Sequence, residues 1–273
     1  MKKVVVNFVF LFIVTGIIAQ DNQLNRYFNI KLKDVPRIVP EKQEYDVVIK
    51  RHMLHPVKNG IFNGETLKST WQMYGNDSIV WNNVRYSKID DILQEPIQTI
   101  DWNEFNGRGH KIGAANDYFQ EDFYSDIPTE KKEWARMMTS DVPWFEFGWS
   151  ILDSLEFQKE FFPKDMDKRD ISVEGVYTFS SSYLKCIWSG ITLHNNEICA
   201  IVKFESFTNQ LTSYWEGKMA MTGRDLYYGE LWVSLNTKQI EYFKMVEDVV
   251  GEFYLPNTTL FEIQRIVTMN KVK

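Results

Sequence analysis

The 273-residue sequence predicts a mostly β protein of the α+β class. The expected architecture is a long antiparallel meander forming a curved, open, half-barrel-like sheet capped by a helical insertion. Three observations predict it. Apolar residues recur at every second position on both sides of a central segment, the period of a half-buried strand. Turn signals separate these runs at short intervals, which makes neighbouring strands antiparallel. Between about residues 113 and 162 the alternation is replaced by helical spacing.

Residues 1–19 read as a secretory signal peptide. Met1-Lys2-Lys3 is basic, Val4–Ile18 is apolar apart from Asn7, Thr15 and Gly16, and Ala19 precedes the polar stretch Gln20-Asp21-Asn22-Gln23. The apolar run falls short of the ~20 residues a helix needs to cross a bilayer. No cysteine lies near the cut, so a lipid-modified N-terminus is not expected, and no second apolar run of spanning length follows. The expectation is an exported protein (periplasmic, cell-surface or secreted) with no transmembrane span in the mature chain.

Residues 20–44 form an extended lead-in, because Pro36 and Pro40 fix φ and remove two backbone donors. Residues 45–273 are expected to form one β-rich domain. Its first strand puts Tyr45, Val47, Ile49 and Met53 on one face and Asp46, Lys50 and His52 on the other. Asn59-Gly60 and Asn63-Gly64 are turn signals. Leu67, Trp71 and Met73 alternate with polar residues, Gly75-Asn76-Asp77 turns the chain, and Ile79, Trp81 and Val84 mark a third strand.

The insertion contains a helix start at Asp126-Ile127-Pro128-Thr129-Glu130, with a capping oxygen, a proline in the first turn and an early acid. Trp134, Met137 and Met138 share one side of that helix. Further on, Phe145, Trp149, Leu152 and Leu155 make one helical stripe, and Trp144, Phe147 and Ile151 make a second. A helix apolar nearly all round is buried or covers an apolar surface.

From Asp170 onward the two-residue period is strongest. Ile171–Phe179, Ile198–Phe204 and Leu211–Met221 alternate; Asn195-Asn196, Thr222-Gly223-Arg224-Asp225 and Asn236-Thr237-Lys238 read as turns; and the last strand covers Leu260–Met269. Either half alone would expose an apolar face, so both halves share one core. A meander of this length must twist and curl. The all-round apolar helix needs an apolar surface to cover, and the hollow of an open, curved sheet supplies it.

Composition narrows function. The net charge is −6; removing residues 1–19 takes Lys+Arg from 31 to 29 against 37 acids, hence −8. That charge gives no broad attraction to nucleic acid. Cys186 and Cys199 flank a strand–turn–strand segment that places Cys199 opposite Thr192 and Cys186 opposite Glu205, too far apart for a bridge. His52 and His55 form HxxH, but neighbours three apart on a strand point to opposite faces, and only His110 and His194 remain, so no metal site is expected. Gly107-Arg108-Gly109 begins a GxGxxxG run without the spacing or setting of a dinucleotide loop, and reads as a flexible basic loop entering the insertion. Gly148-Trp149-Ser150 lacks the second glycine of a nucleophile elbow. Asp165, Asp167 and Asp170 are interleaved with Lys164, Lys168 and Arg169 and read as a charged loop, not a calcium site. No catalytic residues, metal or cofactor are assigned.

Nine Trp, 13 Tyr and 19 Phe are the feature left over. Trp144, Trp149 and Trp215 fall where the insertion and an inward strand face should meet. They are the expected wall of a pocket for an apolar or amphipathic small molecule, in a non-catalytic binding protein. Two alternatives stand beside this. One is a carbohydrate-active enzyme using acids from Asp101, Glu104, Asp117, Glu121, Asp122 and Asp126, with Trp102, Tyr118 and Tyr124 as cleft walls. The other is an envelope structural component working through protein contacts.

Overall fold

The computed structural model describes residues 27–54, 62–75, 77–89, 98–111, 124–140, 151–163, 169–173, 177–181, 184–215, 217–254 and 257–272. The signal-peptide segment lies outside the described residues. The strands are β1 (Lys42–Leu54), β2 (Phe62–Tyr74), β3 (Ser78–Ile89), β4 (Gln98–Asp101), β5 (Gly109–Lys111), β6 (Glu160–Phe161), β7 (Arg169–Val173), β8 (Tyr177–Ser181), β9 (Lys185–His194), β10 (Glu197–Trp215), β11 (Lys218–Ser234), β12 (Ile240–Phe253) and β13 (Thr259–Lys271). The α-helix α1 (Thr129–Ser140) lies between β5 and β6. It begins at the expected Pro128-Thr129-Glu130 start.

All strands join one antiparallel sheet in the order β4-β3-β2-β1-β13-β12-β11-β10-β8-β7. The early strands meet the late ones through β1 and β13, where Val47 faces Met269 and Ile49 faces Val267. The far half of β10 pairs with β8 and its near half with β9, which in turn carries β6. On the opposite edge β3 carries β4 and β5. Among the described residues no ladder joins the two edges, so the sheet is open, as expected.

The two-residue period decides which face is buried. Tyr45, Val47 and Ile49 of β1 share a face with Leu67 and Trp71 of β2, Val267 and Met269 of β13, Phe243 and Met245 of β12, Leu231 of β11 and Val202 and Phe204 of β10, and all are buried. Each such side chain contributes about 1.5–3 kcal/mol of burial. The cover comes from the insertion and from the residues before β1. Trp134 and Ala135 of α1 are buried, as are Ile151, Leu152 and Leu155 and, from the lead-in, Tyr27, Leu32 and Val35. Phe157 packs edge-on against Trp188 of β9, with ring centroids 5.3 Å apart. The chain thus fills one end of its own hollow.

Glycines on this face let the strands approach closely. A Cβ on Gly229 would collide with the Lys244 carbonyl of β12 and sit 2.7 Å from the Phe204 ring; on Gly251 it would sit 2.8 Å from the Gly223 Cα and 2.9 Å from the Phe261 ring. An aromatic ring laid over a bare glycine backbone is a device for bending a sheet.

Several local expectations need correction. Thr222-Gly223-Arg224-Asp225 is not a turn: it lies inside β11, with Gly223 opposite Gly251, and the chain turns at Gly217, whose φ is +76°. Asn63-Gly64 likewise lies inside β2, where Gly64 faces His52. At Gly223 the glycine answers a cross-strand neighbour and not a reversal. Gly109 is part of ordered β5 on the edge of β3, not a flexible loop. Cys199 does face Thr192, but a bulge at Ile201/Val202 shifts the register so that Cys186 faces Phe204 instead of Glu205. Both cysteines are free and buried. Residues 152–154 form a 3₁₀ turn and not α-helix. The turn at Asn195-Asn196 forms as expected, both residues having positive φ.

Candidate functional site

At one level across the inward face the apolar pattern breaks. Register places Glu65 of β2, Arg51 of β1, Arg265 of β13, Glu247 of β12, Tyr227 of β11 and Ser206 of β10 side by side, each directly opposite the next. Their phase is that of the core residues two positions away, such as Ile49 and Val267. Like charges directly opposite each other are unfavourable, and Arg51 faces Arg265. Each guanidinium therefore takes a carboxylate on its outer side. Arg51 donates from Nε (2.9 Å) and Nη2 (2.5 Å) to Glu65 Oε2, and Arg265 donates from Nε to Glu247 Oε2 at 2.5 Å. Tyr86 donates to the other Glu65 oxygen at 2.6 Å. Burial, then that hydrogen bond, pushes the Tyr86 hydroxyl far above its usual range. Lys88, opposite Glu65 on β3, is the exposed outer end of the row.

The α1 helix roofs the β1–β3 end. Arg51 lies 4.9 Å under the Trp134 ring, and Tyr86 stacks on Trp102 with centroids 4.7 Å apart and planes 5° from parallel. Lys131 of α1 pairs with Glu104.

Asp225 stands beside this row, one inward-facing position beyond Tyr227 on β11, and is only 4% exposed. Ser206 donates to Asn209 Oδ1 at 2.9 Å, and Asn209 donates to the Asp225 backbone carbonyl at 3.1 Å. Burial first, then the charge of Glu247, pushes the Asp225 carboxyl well above the ordinary carboxylate range, against the opposing pull of Arg265. Its Oδ1 atom is buried and has no hydrogen-bond partner.

Beyond Asp225 the same face becomes apolar again, but open. Gly223 and Gly251 face each other in a glycine strip, with Leu211 beside Gly223 and the buried Phe261 ring of β13 lying over Gly251. Past that strip come Met221 and Phe253, then Met219 opposite Tyr214. Phe253, Met219, Tyr214 and, on β1, Met53 are exposed large apolar side chains. Met53 lies on the expected face, but at the open end of the hollow, where nothing described covers it. His52, on the outward face, is buried; it hydrogen-bonds to Gln264, and burial holds its pKa down.

The residues expected to form the pocket wall are placed as follows. Trp144 and Trp149 lie outside the described residues, and Trp215 ends β10 with its side chain outside them too. Of the acids expected for glycan cleavage, Asp117, Glu121 and Asp122 lie outside the described residues. The other three are exposed and paired on the periphery: Asp101 with Arg85 at 3.7 Å, Glu104 with Lys131, and Asp126 with Arg108. Trp102 and Tyr124 are buried core residues, not cleft walls. His55 lies outside the described residues, and His194 packs edge-on against Trp232 with centroids 5.1 Å apart. Among the described residues no three His, Cys, Asp or Glu side chains are grouped to hold a metal ion, and no helix is long and apolar enough to cross a membrane.

No protein-family model and no curated protein matches the chain. Among solved structures it is similar to one described as lipid–protein interactions in lipovitellin, with a TM-score of 0.45 and 8% identity, over 86% of this chain and 25% of that one. The chain therefore spans about a quarter of that protein's length.

Sequence reasoning missed the whole polar row. A signal was present: Arg51 sits in phase between Ile49 and Met53, and Arg265 between Ile263 and Val267. A charge in the apolar phase of two strands is a pair in waiting, but only register brings them together.

Proposed function

We propose that the chain is an exported, non-catalytic protein that binds an amphipathic small molecule on the open end of its inward sheet face. The observation that carries this reading is the sequence of surfaces along β11 and β12: a buried polar row, a glycine strip with the Phe261 ring over Gly251, then exposed Met219 and Phe253. A soluble protein rarely leaves contiguous apolar surface uncovered without use. The polar row beside it gives a ligand two chemistries on one face, the pattern of small-molecule sites in which a few polar groups orient an apolar body. Trp144, Trp149 and Trp215 complete the wall in this reading.

The test is titration with the neutral lipid-like fluorophore N-phenyl-1-naphthylamine. Saturable enhancement is expected, weakened at least ten-fold by Phe253→Asp in a variant with an unchanged far-ultraviolet spectrum. A flat titration, or one indifferent to Phe253→Asp, refutes it.

A further inference from the structure

The polar row has an excess of acid. Its buried part holds two guanidiniums, Arg51 and Arg265, each paired with its own carboxylate, Glu65 and Glu247. Asp225 is a third carboxyl, hydrogen-bonded to Glu247 and with no cation of its own among the described residues. Two states balance such a site. In one, Asp225 keeps its proton and the row is neutral. In the other, Asp225 is ionised and a bound cation supplies the missing charge.

Geometry leaves one Asp225 oxygen open to an external partner. Oδ1 of Asp225 is buried and accepts no hydrogen bond, although a buried polar atom is nearly always paired. The residue stands at the inner end of the glycine strip, so a head group at Asp225 leaves its chain running past Gly223 and along the Phe261 ring toward Met221, Phe253 and Met219. From Asp225 to Met221 is two inward-facing steps, about 13 Å of strand, a length that a ten-carbon chain covers.

We propose that this face selects amphiphiles with a cationic head, an ammonium group hydrogen-bonding to Asp225 Oδ1 beside Glu247 while its alkyl chain lies along Gly223 and the Phe261 and Phe253 rings toward the open apolar end. The inference rests on the amphiphile-binding reading above and specifies the head group. Protons balance as follows. The ammonium keeps its three hydrogens and donates one to Asp225, the carboxyl releases its own proton to the buffer, and about one proton leaves per ligand bound. An alcohol of equal length meets the neutral acid and releases none. A carboxylate head brings a further negative charge beside Glu247 and Asp225 and is rejected.

The experiment displaces N-phenyl-1-naphthylamine with decylammonium, decanol and decanoate at neutral pH, below their aggregation concentrations. Calorimetry in two buffers of different ionisation enthalpy counts the protons. Decylammonium is expected to displace the fluorophore at a concentration at least ten-fold below that of decanoate, with about one proton released. Asp225→Asn is expected to remove both the preference and the release, so that decylammonium and decanol displace the fluorophore alike. If that variant loses its near-ultraviolet spectrum, the head-group series on the unaltered protein decides alone. Equal displacement by all three heads, or no proton release with decylammonium, overturns the proposal and leaves the binding reading standing. Absence of fluorophore binding overturns both.

Discussion

Replacing Gly229 by alanine tests the account of how the sheet curls. The added methyl would point into the hollow, collide with the Lys244 carbonyl oxygen, and sit 3.0 Å from that carbonyl's carbon and 2.7 Å from Phe204 Cζ. Carbon atoms in contact are ordinarily about 3.5–4.0 Å apart, so β12 must retreat by roughly 1 Å, because the obstacle is backbone. Overpacking of this kind costs about 1–3 kcal/mol. Weakening one or two adjacent ladder hydrogen bonds adds about 1 kcal/mol each, and the reduced freedom of the unfolded chain returns about 0.4–1 kcal/mol. The net expectation is a loss of about 2–4 kcal/mol, which for a chain of this size lowers Tm by about 5–15 °C. The assay is thermal and urea unfolding followed by circular dichroism, with Gly190→Ala as the control. A methyl at Gly190 meets nothing closer than Ile201 Cδ1 at 3.8 Å, so that variant should match the wild type within about 1 kcal/mol. Indistinguishable melts for the two variants would show that close approach of β11 and β12 at Gly229 does not shape the sheet.

The buried acid makes stability depend on pH in a defined direction. Asp225 is raised in the folded state, so the fold keeps a proton that the unfolded chain has released. Its contribution is fully present in acid, below the usual carboxylate pKa, and is lost as pH rises toward the raised value, with a limiting slope of about 1.4 kcal/mol per pH unit. Denaturant midpoints should therefore fall less steeply above pH 4 for Asp225→Asn than for the wild type; parallel profiles refute the assignment. Burial pushes the Cys186 and Cys199 thiols up to about 12. Native protein should leave both unlabelled by an aromatic disulfide reagent at pH 8, and protein unfolded without reductant should take up two equivalents. Rapid native labelling, or none after unfolding, contradicts this.

The parts of the fold legible in the sequence are those set by neighbours close along the chain. Alternation located β1, β2 and the first half of β10, paired asparagines located the Asn195-Asn196 turn, and a capped proline start located α1. What failed was set by neighbours across the sheet. Thr222-Gly223-Arg224-Asp225 has the composition of a turn, but Gly223 is glycine because Gly251 approaches it from β12. The bulge after Ile201 moved Cys186 by one residue, which no local pattern announces. The polar row failed for the same reason: a lone charge in a strand reads as an outward residue until its partner on the next strand is known. Arg51 and Glu65 come from one stretch of chain and Glu247 and Arg265 from another, and only the β1–β13 pairing puts Arg51 beside Arg265.

That junction also dictates the order in which the molecule can be completed. Val47 meets Met269, more than two hundred residues downstream. As the polypeptide leaves the ribosome, the hairpins of β1–β3 emerge early, with one flank of β1 carrying unsatisfied amides and carbonyls. No native neighbour can cover that flank until β13 is synthesised. Closing so long a loop is slow, and a waiting strand edge is a template for pairing with the wrong chain. Production of this protein should therefore be limited by protection of that flank during synthesis, and a holding chaperone should raise the soluble yield more than any change to the finished core.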